Sequence, residues 1–141
     1  MGPRSRTKIL LVLSRDDDLV GQVREAAQVI LDRPEPVVVH SGAACLSALE
    51  AQPTALLILD DAVQRGSGPV LLYRIRTAHP QLRIVYVASH HNAELEREVR
   101  QIGVLYYTAK PLGQRELASL IASFMGLRVT GSVRDSGNDP S

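Results

Sequence analysis

Asp60 and Asp61 close the run Ala55-Leu56-Leu57-Ile58-Leu59, five apolar residues that end abruptly in two carboxylates. A carboxylate can act as a nucleophile toward phosphorus and form an acyl phosphate. That chemistry calls for a divalent cation to quench the repulsion between two anions. It also gains from a lysine and a hydroxyl that hold phosphoryl oxygens in the transition state. Lys110, one of two lysines in the chain with Lys8, and Ser89, after the apolar run 84–88, are residues of the required types. The plainer role for either acid is to cap a turn or the next helix. Neighbouring side chains leave an extended backbone on opposite sides, so only one of the two acids can face a given pocket.

The elements that must position these groups are legible from periodicity. A short apolar run bounded by turn signals reads as a strand buried on both faces of a parallel sheet. Five such strands are expected: Lys8–Leu13, Val37–Val39, the Asp60 strand, Ile84–Ala88 and Val104–Thr108. Between the first two, Ser14 to Asp18 offers an N-cap and acids for a helix start. The stripe Leu19, Val23, Ala26, Ala27 and Ile30 follows, with Pro34 and Pro36 as the stop. A short helix through Cys45, Leu46 and Leu49 leads to Pro53. Pro69 opens a helix with Leu71, Leu72 and Ile75 inward. Asn92 caps the next, with Leu95, Val99 and Ile102 inward and Gly103 as its end. The last helix carries Leu117, Leu120, Ile121 and Phe124.

Strands alternating with helices imply an α/β fold, a parallel sheet covered on both faces. Right-handed crossovers favour the doubly wound, flavodoxin-like order 2-1-3-4-5. The site then lies at the carboxyl ends of the first and third strands. Residues 1–6 read as a loose end, 7–126 as one domain, and 127–141, rich in Gly, Ser, Asp, Asn and Pro, as a disordered tail or linker.

Composition excludes several functions. The chain has 141 residues, 45% hydrophobic, with a formal net charge of +1, so bulk charge does not steer it to nucleic acid. No apolar stretch approaches the ~20 residues of a membrane span, and the start lacks a signal-peptide pattern, so the expected compartment is cytoplasmic. Cys45, the sole cysteine, allows neither an internal disulfide nor a cysteine metal cluster and reads as a small core residue. No glycine-rich phosphate loop follows the first strand, so a nucleotide cradle is not expected. His90-His91 reads as a solvated loop, since adjacent imidazoles do not usually converge on a metal.

Two spans carry a family resemblance. The span Leu57-Ile58-Leu59-Asp60, with Gly68 and the helix Pro69 to Arg76, resembles the phosphoacceptor strand, loop glycine and following helix of response-regulator receiver domains in two-component signalling. Gly103-Val104-Leu105-Tyr106-Tyr107-Thr108-Ala109-Lys110-Pro111-Leu112 is similar to that family's fifth strand and Lys-Pro signature. The resemblance covers roughly residues 7–126. It implies Asp60 as phosphoacceptor, Lys110 as the phosphate-binding lysine, Ser89 at the hydroxyl position after a one-residue slip (ungapped spacing gives Ala88) and Tyr107 at the aromatic switch position. It further implies a non-enzymatic signalling module served by a histidine kinase or phosphotransfer protein. A downstream protein partner is expected, and a homodimer could form through the last two helices and the fifth strand. The family holds magnesium with an acidic pair after the first strand. Here the corresponding register gives Leu13-Ser14 or Ser14-Arg15, leaving Asp16 and Asp17 as weak metal candidates beside Asp60, and Gln64 stands where many members carry proline. The alternative is therefore a pseudo-receiver, a phosphorylation-independent protein-binding module.

Overall fold

A computed structural model describes residues 9–64 and 67–130. Strands β1 (Ile9–Leu13), β2 (Pro36–Val39), β3 (Thr54–Asp60), β4 (Ile84–Ala88) and β5 (Tyr106–Ala109) form one parallel sheet in the order β2-β1-β3-β4-β5. Helices α1 (Asp17–Gln28), α2 (Gly42–Ala51), α3 (Gly68–Ala78), α4 (Ala93–Ile102) and α5 (Gln114–Met125) follow the strands in turn. A short 3-10 turn, Asp61–Gln64, leaves β3.

Two-residue periodicity sorts the strand side chains into two cores. Leu10, Val12, Leu56, Ile58, Val85 and Val87 face α1 and α5, packing on Leu19, Val23, Leu117 and Ile121. Leu11, Leu13, Leu57, Leu59, Ile84, Tyr86 and Ala88 face the other way, onto Cys45, Leu71, Leu72, Ile75 and Val99. By the same alternation Ser14 and Asp60 belong with the first face and Asp61 with the second. Cys45 is fully buried, and burial pushes its thiol pKa up to about 12, as suits a core residue.

Three boundaries differ from those read in the sequence. Helix α1 stops at Gln28, well short of Pro34. Residues 29–31 turn out to pair with the segment after α5: Leu31 N–H donates to the Arg128 carbonyl, Thr130 N–H donates to the Val29 carbonyl, and Ile30 and Val129 form an antiparallel bridge. Leu127 and Val129 pack on the α1/α5 core, so residues 127–130 are joined to the packed part of the fold. The rest of the expected tail, 131–141, and the expected loose end, 1–6, lie outside the described residues. Strand β5 begins at Tyr106, because sheet pairing with β4 starts at Val85 opposite Tyr106. Before it, Gly103 (φ 119°) turns the chain, and Arg76 holds its carbonyl. The Arg76 guanidinium also donates to the carbonyls of His79, Pro80 and Leu82, gathering the ends of α3 and α4.

Candidate functional site

At the carboxyl rim the ladder runs one residue beyond two strands. Ser14 N–H donates to the Val39 carbonyl and Lys110 N–H to the Ala88 carbonyl, which fixes both backbones before their side chains reach inward. The Lys110–Pro111 peptide is cis. Asp60 is fully buried. A buried carboxylate is tolerated only when paired and hydrogen-bonded, and Asp60 has three donors. Ser14 Oγ donates to Oδ2 at 2.7 Å, Lys110 Nζ to the same oxygen at 2.9 Å, and Ala62 N–H to Oδ1 at 3.0 Å.

Asp16 completes the cluster. It is the N-cap of α1, its Oδ1 accepting from the N–H groups of Asp18 and Leu19, while its Oδ2 takes Lys110 Nζ at 2.9 Å. The Lys110 hydrogen bond holds the Asp16 carboxyl below the usual carboxylate range, against the opposing effect of burial. Burial pulls the Lys110 amine down, but its two carboxylate partners outweigh that and leave it raised. Arg15 is exposed, and Lys110 is the one cation paired to Asp60 among the described residues.

The expected site residues divide. Asp60 and Lys110 converge, and Asp16 joins them; Asp17 is exposed on the first turn of α1 and takes no part in the cluster. Ser89 is not drawn to Asp60. Its N–H and its hydroxyl both donate to Asp61 Oδ1 at 3.1 Å, and Tyr86 donates to Asp61 Oδ2 at 3.1 Å. Tyr107 is buried against Tyr86, rings stacked at 6.0 Å, with its hydroxyl 3.4 Å from both the Asn92 N–H and His91 Nδ1. Sequence reasoning missed two roles. Ser14, read as a possible cap, is the buried donor to Asp60; its parity with Leu10 and Val12 was the available signal. Tyr86, read only as one residue of the fourth strand, carries the hydroxyl that meets Asp61.

A magnesium ion is held by one or two carboxylates together with waters and substrate phosphate. Here the end of β1 supplies the Ser14 hydroxyl, and the second carboxylate, Asp16, is occupied by Lys110 and by two helix N–H groups. Among the described residues no three His, Cys, Asp or Glu side chains converge on a metal position. Asp60 and Asp16, the two carboxylates a cation would need, are both engaged by Lys110 in this arrangement.

A doubly wound sheet in this order, with an acid ending β3 and a lysine following β5 at one rim, has the architecture of a signalling receiver. The chain belongs to the response regulator receiver domain family, whose model matches residues 12–122. It is 25% identical over 146 residues to the sensor protein GacS of Pseudomonas syringae pv. syringae; the match covers 99% of this chain and 16% of that protein. The fold is shared with a response regulator from Thermotoga maritima (TM-score 0.74, 16% identity, 85% of this chain and 98% of that one). It is shared too with the Mn2+-bound form of response regulator Rcp1 (TM-score 0.68, 19% identity, 84% and 90%). Receiver domains are in general non-enzymatic modules that typically bind Mg2+ in an acidic pocket and interact with histidine kinases and downstream proteins. No described helix is long and apolar enough to cross a membrane.

Proposed function

We propose that this receiver domain works as a pseudo-receiver, a protein-binding module whose rim is held in one arrangement by its own charges. The observation that carries the reading is the engagement of Asp60. Its Oδ2 already accepts from Ser14 and Lys110, its side chain is fully buried, and the position that a cation-holding acid would occupy is a serine. Lys110 is shared between Asp60 and Asp16, so both carboxylates are engaged by one ammonium without a phosphoryl group. Signalling then runs through protein contacts that do not depend on modification. A partner would meet the outer face of α4, β5 and α5, where Glu96 pairs with Arg100 and Tyr106 donates to Glu116.

A second reading has one observation in its favour. Lys110 Nζ lies 2.9 Å from Asp60 Oδ2 at the rim where a phosphohistidine donor could approach, so Asp60 could accept a phosphoryl group with Lys110 steadying it. One experiment separates the two. The protein is incubated with magnesium and acetyl phosphate, and in parallel with magnesium and beryllium fluoride, and followed by intact mass and amide chemical shifts. The pseudo-receiver gives no adduct and unmoved resonances at Asp60, Ser89 and Tyr107. A phosphoryl adduct on Asp60 overturns it in favour of phosphotransfer.

A further inference from the structure

The carboxylate next to Asp60 has a function of its own. Asp61 stands on the opposite face of the sheet and accepts three hydrogen bonds, from Ser89 N–H, Ser89 Oγ and Tyr86 Oη. Two of these donors belong to the first residue after β4, and the third belongs to the strand itself. We infer that Asp61 is the positioning residue of the β4–α4 loop, tying Ser89 to the α3/α4 face of the sheet and away from Asp60. The inference goes beyond the proposed pseudo-receiver, because it needs nothing from the Asp60–Lys110 pair.

The surroundings are built for this contact. Tyr86 is fully buried in β4, so its hydroxyl requires a partner, and Asp61 supplies it. Burial first, and the Asp61 charge second, keep the Tyr86 phenol far above its usual titration range, so it remains a donor. Gly68 leaves room for the pair: a Cβ there would overlap the Tyr86 hydroxyl and lie 2.7 Å from the Asp61 Cβ. The loop glycine singled out in the sequence thereby gains a physical reason. Beyond Ser89 the same network continues, since Tyr86 stacks on Tyr107 and the Tyr107 hydroxyl receives the Asn92 N–H at the start of α4. A carboxylate at 61 therefore decides where the loop 89–92 sits and how Tyr107 is seated.

Amide hydrogen exchange of residues 89–92 in the full chain tests this, with ring resonances of Tyr86 and Tyr107 as a second readout. Asp61→Ala and Asp61→Leu are expected to raise Ser89 amide exchange roughly tenfold and to shift both rings, since each deletes every acceptor. Asp61→Asn, which keeps an oxygen for Ser89 and can donate to Tyr86, is expected to restore protection close to the parent. Asp60→Asn leaves the loop unchanged, which separates this inference from the pseudo-receiver reading. Parent-like exchange in Asp61→Leu overturns the proposal, because filling space would then suffice. So does loop release in Asp60→Asn. Should Asp61→Ala fail to fold, Asp61→Asn against Asp61→Leu carries the test: Ser89 protection in the first and its loss in the second support the positioning role, and equal protection in both overturns it.

Discussion

Asp60 and Asp61 are adjacent in the chain, and each accepts from a serine hydroxyl and a backbone N–H, but their third donors and their burial differ. Asp60 is buried among ions: its partners are an ammonium, a hydroxyl and a backbone N–H, and the ammonium is shared with Asp16. Asp61 is half-buried among neutral donors, a phenol, a serine hydroxyl and a backbone N–H. The first cluster joins β1, β3 and the chain after β5; the second joins β3 to β4 and the start of the next loop. Adjacent residues thus sit on opposite faces of one sheet in different surroundings. Loss of Lys110 on the Asp60 side leaves a fully buried carboxylate without its cation, whereas loss of a partner on the Asp61 side leaves a half-buried carboxylate short of one neutral donor, and the expected effects of substitution differ accordingly.

Lys110→Met presses that contrast hardest. It leaves Asp60 buried without its cation, and a loss of about 3–5 kcal/mol in urea unfolding is expected. A loss below roughly 1 kcal/mol would put the pair in the class of surface salt bridges and dissolve the contrast. Ser14→Ala removes a hydrogen bond to a charged acceptor and is expected to cost about 1.5–3 kcal/mol by the same measurement. On the other face, Gly68→Ala crowds Tyr86 against Asp61, and about 1–3 kcal/mol of destabilisation is expected, with the Tyr86 ring resonances displaced. An unmoved Tyr86 would mean that the glycine serves something other than this approach.

The smallest effect is titratable. Asp16, about a third exposed, has a lowered pKa through Lys110, so its contribution is present above the ordinary carboxylate value and is lost as pH falls through the folded value. Lys110, raised on balance, contributes below its ordinary amine value and loses that contribution as pH rises through the folded one. Asp16→Asn keeps a capping oxygen and removes the ion pair. Its free energy of urea unfolding is expected to lie below the parent's by less than about 1 kcal/mol at neutral pH, the gap closing in acid. A gap that persists at low pH would assign the loss to capping.

The sheet order and the opposed directions of the two acids were legible because strand alternation is a local property that five apolar runs repeat clearly. Lys110 was legible because lysine is scarce here and this one follows a strand. The partners of Ser14, Ser89 and Tyr86 were less so, since each depends on the register between strands. The ladder pairs Asp60 with Val87 and so sets Tyr86 and Ala88 on the side of Asp61. No periodicity within one segment contains that pairing. The early end of α1 has the same origin: residues 29–31 find their hydrogen bonds about a hundred positions away, at 128–130.

Helix α4 buries one side chain fully, Val99. Its tail is moored by Arg76 through the Gly103 carbonyl, while its head rests on the loop governed by Asp61. The helix is thus tethered at both ends by side chains from outside it, Arg76 at Gly103 and Tyr107 at Asn92, and loss of either tether is expected to loosen that end first.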